Sequence, residues 1–272
     1  MSALAVRLTS FVALLATLLG CAASSQAKLL ANGIENSTAA APASEPQRIL
    51  LFTRTTGFRH DSIPEAVRAV RELAQARGLE VEHTEDPTQF TAPNLKRFRV
   101  IAFLNTSGDV LPEREQEQAF EQWLESGGRF LGVHAATDTE FNWPWYGRMI
   151  GAYFAGHPRI QPAVQVVVDP THPATAHLPA RWLRTDEWYN FRSFEPDIKV
   201  ILRLDTSTYQ GSRHGETHAS AWCKPVGKGK MFYTAGGHTK ESYAEPEFRA
   251  HLAGALQWLL DSAALTPSPG GR

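Results

Sequence analysis

Gly128-Arg129-Phe130-Leu131-Gly132-Val133-His134-Ala135-Ala136 decides how the rest of this 272-residue chain is read. A short apolar run ends in a glycine-permitted turn, and a histidine sits at its tip. Turns of this kind hold a reactive side chain over the carboxyl edge of an α/β sheet, where open sheets place their ligand crevice. The usual occupant is a Ser or Cys nucleophile. An imidazole instead moves protons or binds a metal.

The flanking sequence agrees with such a sheet. Arg48–Thr53 is a buried strand, and Ile63–Arg77 is a helix opened by Pro64 and closed by Gly78. Leu79–His83 and Val100–Leu104 read as the next strands. Pro112–Ser126 reads as a helix stopped by Gly127-Gly128, and Phe130–Val133 as the strand that delivers His134. Alternating β and α elements predict a doubly wound, mostly parallel sheet in a three-layer α/β domain. The second half is irregular and β-rich. Strands are expected at Val164–Val168, Lys199–Leu204, Ala219–Cys223 and Lys230–Tyr233, the last two joined around Pro225–Gly229, with a closing helix over Glu247–Leu260.

The N-terminus reads as a targeting segment, residues 1–27. Arg7 precedes an apolar run, Leu8–Gly20, too short to span a bilayer. Leu18-Leu19-Gly20-Cys21 resembles a lipobox that would place a lipid on Cys21, and Ser25-Gln26-Ala27 is an alternative cleavage site. Either exit predicts an exported protein, periplasmic or held to the membrane only through a lipid anchor. Residues 28–47 read as a flexible tether, 48–261 as the α/β domain and 262–272 as a disordered tail. Cys21 and Cys223 are the only cysteines, which excludes a disulfide framework and a thiolate zinc site. Without Arg7 the chain has 26 basic and 28 acidic residues, a balance that argues against nucleic acid.

Several turns carry chemistry. Gly57-Phe58-Arg59-His60 follows the first strand, and its single glycine is too few for a phosphate loop. Phe141-Asn142-Trp143-Pro144-Trp145-Tyr146 places aromatics beside the His134 turn, where they would stack on sugar rings. Gly156-His157-Pro158 adds a third histidine turn, and His172 is expected in a surface turn. Asp186-Glu187-Trp188-Tyr189 pairs carboxylates with aromatics, as carbohydrate sites do. Gly236-Gly237-His238 follows the strand ending at Tyr233. The expected substrate-binding residues are Trp143, Trp145, Tyr146, His157, Asp186, Trp188 and Tyr189. His134 is the expected base, Glu187 its acid partner or hydroxyl anchor, and His60 and His238 carbonyl polarisers. In an alternative arrangement His60, His134, Glu187 and His238 converge on a divalent metal as cofactor.

In their order and spacing these motifs, with Gly227-Lys228-Gly229-Lys230-Met231-Phe232-Tyr233, resemble the ThuA-like (trehalose utilisation) family of the class I glutamine amidotransferase-like superfamily. The resemblance covers residues 48–260. It implies a flavodoxin-like three-layer fold and a link to sugar catabolism. That superfamily places a Cys nucleophile at the elbow. Here the position holds His134, so thioester chemistry on glutamine has no nucleophile. The expected function is acid–base chemistry on a small carbohydrate, such as a keto-glycoside. A non-catalytic carbohydrate-binding lipoprotein is the alternative.

Overall fold

A computed structural model of the protein describes residues 47–261. The leader, the tether up to residue 46 and the tail from residue 262 onward lie outside the described residues. In chain order the elements begin with β1 (Arg48–Phe52), α1 (Ile63–Gln75), β2 (Glu80–Thr84), α2 (Ala92–Leu95), β3 (Val100–Leu104), α3 (Arg114–Glu125) and β4 (Arg129–Val133). There follow α4 (Pro144–Ile150), β5 (Ala152–Gly156), β6 (Gln161–Val167), β7 (Arg181–Asp186) and β8 (Asn190–Phe194). The chain then forms β9 (Lys199–Leu204), β10 (Ala219–Val226), β11 (Gly229–Thr234) and α5 (Pro246–Leu260).

Nine strands form one sheet in the order β2-β1-β3-β4-β11-β10-β9-β6-β7. The half from β2 to β11 is parallel, with Leu104 opposite Val133 and Val133 opposite Thr234. Burial on both faces explains the unbroken apolar runs Ile49–Phe52 of β1 and Val100–Leu104 of β3. From β11 to β7 every pairing is antiparallel, so the β-rich second half extends the same sheet. β5 and β8 pair apart from it.

Helices cover both faces. On one, Phe52, Phe103, Phe130 and Tyr233 pack against Phe120 and Trp123 of α3 and Tyr146 of α4. On the other, Leu51, Ala102, Leu131 and Phe232 meet Val70 of α1 and Leu252 and Leu256 of α5. This is the three-layer α/β architecture expected, with a sheet that is parallel in one half and antiparallel in the other. Among the described residues no helix is long and apolar enough to cross a membrane.

Three strands escaped the sequence reading. In β7 the inward side chains are Trp182, Arg184 and Asp186, so two of three buried positions are charged and the apolar alternation is hidden. β5 and β8 are short and pair with irregular register.

Candidate functional site

β1, β3, β4 and β11 run parallel, so their carboxyl ends share one edge. His60 follows β1, His134 follows β4 and His238 follows β11. Two strand reversals between β11 and β9, and two more to β7, point the end of β7 the same way, and Glu187 is its next residue.

His134 opens a single 3₁₀ turn, His134–Thr137, with φ of 50°. A non-glycine residue there costs on the order of 1 kcal/mol. The turn is held by Tyr233, whose hydroxyl donates to the His134 carbonyl at 2.8 Å. A Cβ on Gly132 would lie 3.0 Å from Ile150 and 3.2 Å from Tyr233, so this strand position stays bare.

The structure brings His60, His134, Glu187 and His238 together, with one potential ligand atom from each lying within 4.8 Å of the others. The three rings form a triangle with centroid separations of 4.9, 5.0 and 5.3 Å and steeply crossed planes. His134 Nδ1 lies 2.7 Å from the Ala235 carbonyl, an acceptor, so this nitrogen carries a proton, and the neutral tautomer it selects has its lone pair on Nε2. That Nε2 lies 3.5 Å from Glu187 Oε2, and His238 Nδ1 lies 3.1 Å from the same oxygen. Neither approach is an aligned hydrogen bond: His60 Nδ1, His134 Nε2 and His238 Nδ1 are all buried without a hydrogen-bond partner. Three histidines with such ring nitrogens, gathered with one carboxylate, are a donor set suited to a divalent transition metal.

The electrostatics follow from burial and proximity. Burial, then the neighbouring His134 and His238 rings, push His60 down to about 3, so it is neutral at ordinary pH. Burial alone would raise Glu187, but contact with His134 and His238 outweighs it and holds the carboxyl well below its usual range. Burial lowers His238 and the Glu187 carboxylate more than offsets it, leaving the group raised.

Asp186 is fully buried and does not face a ligand, contrary to its expected substrate-binding role. Its Oδ1 accepts from the backbone N–H of Glu187 at 2.9 Å and of His238 at 3.1 Å. Its Oδ2 accepts from Gly237 N–H at 2.8 Å, Ser242 Oγ at 3.0 Å and Arg184 Nη1 at 3.0 Å. One carboxylate thus ties β7 to the loop after β11 and sets two cage residues. The glycines of that loop serve the same closeness: a Cβ on Gly236 would meet Arg184 Nη1 at 2.5 Å. Gly237 has φ of 114°, and its added Cβ would meet the Tyr243 hydroxyl at 2.6 Å.

The aromatic expectations need correction. Trp143 and Tyr146 are buried among Phe120, Phe103 and Phe130, and Trp145 stacks on Trp143 while donating to Glu125 at 3.0 Å. Pro144 starts α4, and Trp143 and Tyr146 are turned into the core while Trp145 stays partly exposed over Trp143. Trp188 is buried and donates to the Gln161 carbonyl at 2.8 Å. Tyr189 is buried too, its ring 4.1 Å from that of His134, where it backs the imidazole. Exposed His157 places Nδ1 2.9 Å from Glu187 Oε1, so it touches the cage. His172 is buried, pushed down to about 4 by desolvation, and accepts from Ala174 N–H at 3.1 Å. It is not a surface turn. Cys223, on β10, is buried with its thiol pushed up to about 12 by desolvation, and is no nucleophile.

Residues 48–259 match the family described as ThuA, trehalose utilisation. A crystal structure of a ThuA-like protein from Bacteroides uniformis is 26% identical, with a TM-score of 0.64 over 82% of this chain and 96% of that one. A ThuA-like protein from Parabacteroides merdae, 18% identical, has a TM-score of 0.64 over 82% and 93% of the two chains. A β-galactosidase from Rahnella shares the fold at 15% identity, with a TM-score of 0.51 over 84% of this chain and 33% of its own. No curated protein sequence matches. On the family match across most of its length, the chain belongs to the ThuA, trehalose-utilisation family, on a glutamine amidotransferase-like α/β fold.

Proposed function

We propose that the protein is an exported carbohydrate-processing enzyme in which His60, His134, Glu187 and His238 hold a divalent cation beside a sugar carbonyl, as in a keto-glycoside. The observation that carries this reading is the convergence of His60, His134, Glu187 and His238, each histidine with a buried ring nitrogen that makes no hydrogen bond. Left to itself that arrangement costs the fold desolvation energy at each nitrogen. Membership of a family named for trehalose utilisation supports a carbohydrate substrate.

When bound, the cation supplies Lewis acidity toward a sugar oxygen. The chain supplies the rest. The Ala235 carbonyl fixes the His134 tautomer, so its Nε2 lone pair faces the cage. His60 stays neutral and offers a lone pair at any physiological pH. Glu187 stays ionised and balances cationic charge through Oε2, while Oε1 contacts His157. His157 is exposed and its Nδ1 also lies 2.9 Å from the Pro158 carbonyl, so this ring ties the carboxylate to the protein surface. A carbonyl acidifies the adjacent C–H, and transfer of that proton to the His157 imidazole, which lies outside the cation's ligand set, opens elimination or isomerisation without a covalent enzyme intermediate.

The test is elemental analysis of purified protein and zinc titration, followed by turnover on a keto-glycoside panel. The expected result is one equivalent of bound cation. His134→Ala should weaken zinc at least about tenfold and reduce turnover about a hundredfold or more. Protein that takes no divalent cation, or an unimpaired His134→Ala variant, refutes the proposal. Sugar binding with no turnover would establish the binding-module alternative.

A further inference from the structure

We infer that Phe58 and Asp138 form the sugar-binding wall of this site, Phe58 as the platform for the C–H face of a ring and Asp138 as the acceptor for its hydroxyls. The inference rests on the carbohydrate reading above. Phe58 is 64% exposed, although burial of a phenyl ring is favourable. Its backbone keeps it there. Thr56 and Gly57 N–H both donate to the Ser107 carbonyl, at 2.8 and 3.1 Å, and Phe58 N–H donates to Ser107 Oγ at 3.1 Å. The two loops meet so closely that a Cβ on Gly57 would fall 2.5 Å from Ser107 Oγ. The ring is therefore held in place, edge-on to the His60 imidazole at 4.9 Å and 86°.

The same Ser107 hydroxyl donates to Asp138 Oδ2 at 2.6 Å. Asp138 closes the turn that His134 opens, its N–H donating to the Ala135 carbonyl at 2.8 Å. The carboxylate is half-buried, and among the described residues its Oδ1 makes no hydrogen bond. A held aromatic face and a free carboxylate oxygen thus hang on one serine beside the cage. Sugars present alternating C–H faces and hydroxyl edges, which these two surfaces match. Of the aromatics first expected in this role, Trp143 and Tyr146 are turned into the core, and Trp145 stacks on Trp143 and bonds Glu125.

The experiment titrates the zinc-loaded full chain with trehalose and with a keto derivative of methyl glucoside by calorimetry. Phe58→Ala should weaken sugar binding about five- to tenfold, while Phe58→Trp stays within about threefold of the parent. Asp138→Asn should weaken it about tenfold through loss of a charged acceptor. Zinc affinity should stay within about twofold throughout, which shows that the cage is intact. Unchanged sugar affinity in a variant overturns that residue's place in the wall. A parent chain that takes zinc but neither sugar overturns the wall and leaves the cage standing. One that takes neither overturns both.

Discussion

Asp186→Asn isolates the buried carboxylate that joins the two halves of the site. Five donors converge on it: Glu187 N–H and His238 N–H on Oδ1, and Gly237 N–H, Ser242 Oγ and Arg184 Nη1 on Oδ2. An asparagine amide replaces one oxygen by a donor. With its NH₂ at Oδ2, Gly237 N–H and Arg184 lose their acceptor. With the amide flipped, Glu187 N–H and His238 N–H lose theirs. Either orientation strands two buried donors, at roughly 1–3 kcal/mol each. Arg184 keeps Glu245 at 2.9 Å, so its charge is not wholly unpaired. The expected destabilisation is about 3–5 kcal/mol, in the range for breaking a buried ion pair. For a domain of this size that is a fall in melting temperature of roughly 6–20 °C. The assay is urea unfolding at pH 7, with zinc affinity of the folded fraction measured alongside. A loss below about 1 kcal/mol would refute the reasoning and return Asp186 to a ligand-facing role.

Cys223→Ser should retain turnover and zinc affinity while costing about 1–3 kcal/mol, because it buries a hydroxyl near His172 without a close partner. A stable variant without turnover would reinstate cysteine chemistry. Burial pushes Glu140 up to about 7 despite hydrogen bonds from Leu111 and Val110 N–H. The folded state therefore holds this proton more tightly than the unfolded chain. Stability present below about pH 4.5 should fall as pH rises to about 7, by no more than about 3 kcal/mol. Glu140→Gln keeps an acceptor oxygen and cannot ionise, so its unfolding free energy at pH 5 and pH 8 should differ less than the parent's. An equal pH slope in the two proteins would refute this.

The first half of the fold was legible because its chemistry is local. β1 and β3 are continuous apolar runs, Pro64 marks a helix start, and Gly127-Gly128 a helix stop. In the second half the decisive contacts join distant residues. Arg184 and Asp186 occupy core positions of β7 as a pair, and no apolar period reveals a strand whose interior is charged. The three site histidines could be placed because each follows a parallel strand, whose carboxyl ends must coincide. The aromatic residues could not. An aromatic run carries no direction of its own, and α4 points Trp143 and Tyr146 at Phe120 and Phe130 instead of at a ligand. Phe58, a lone phenylalanine in a polar loop, gave no pattern until its exposure beside His60 was seen.

The four cage residues come from four separate stretches of chain, after β1, β4, β7 and β11. No partly folded intermediate that lacks one of these connections contains the cage. A cation held as proposed would therefore meet only the finished domain. At a hundredfold excess over its dissociation constant it would add about 2.7 kcal/mol to the native state alone. Were the cage still unformed in the folding transition state, that gain would slow unfolding and leave the folding rate nearly untouched. On the proposed function, metal loading would set how long the native state lasts, not how quickly it is reached.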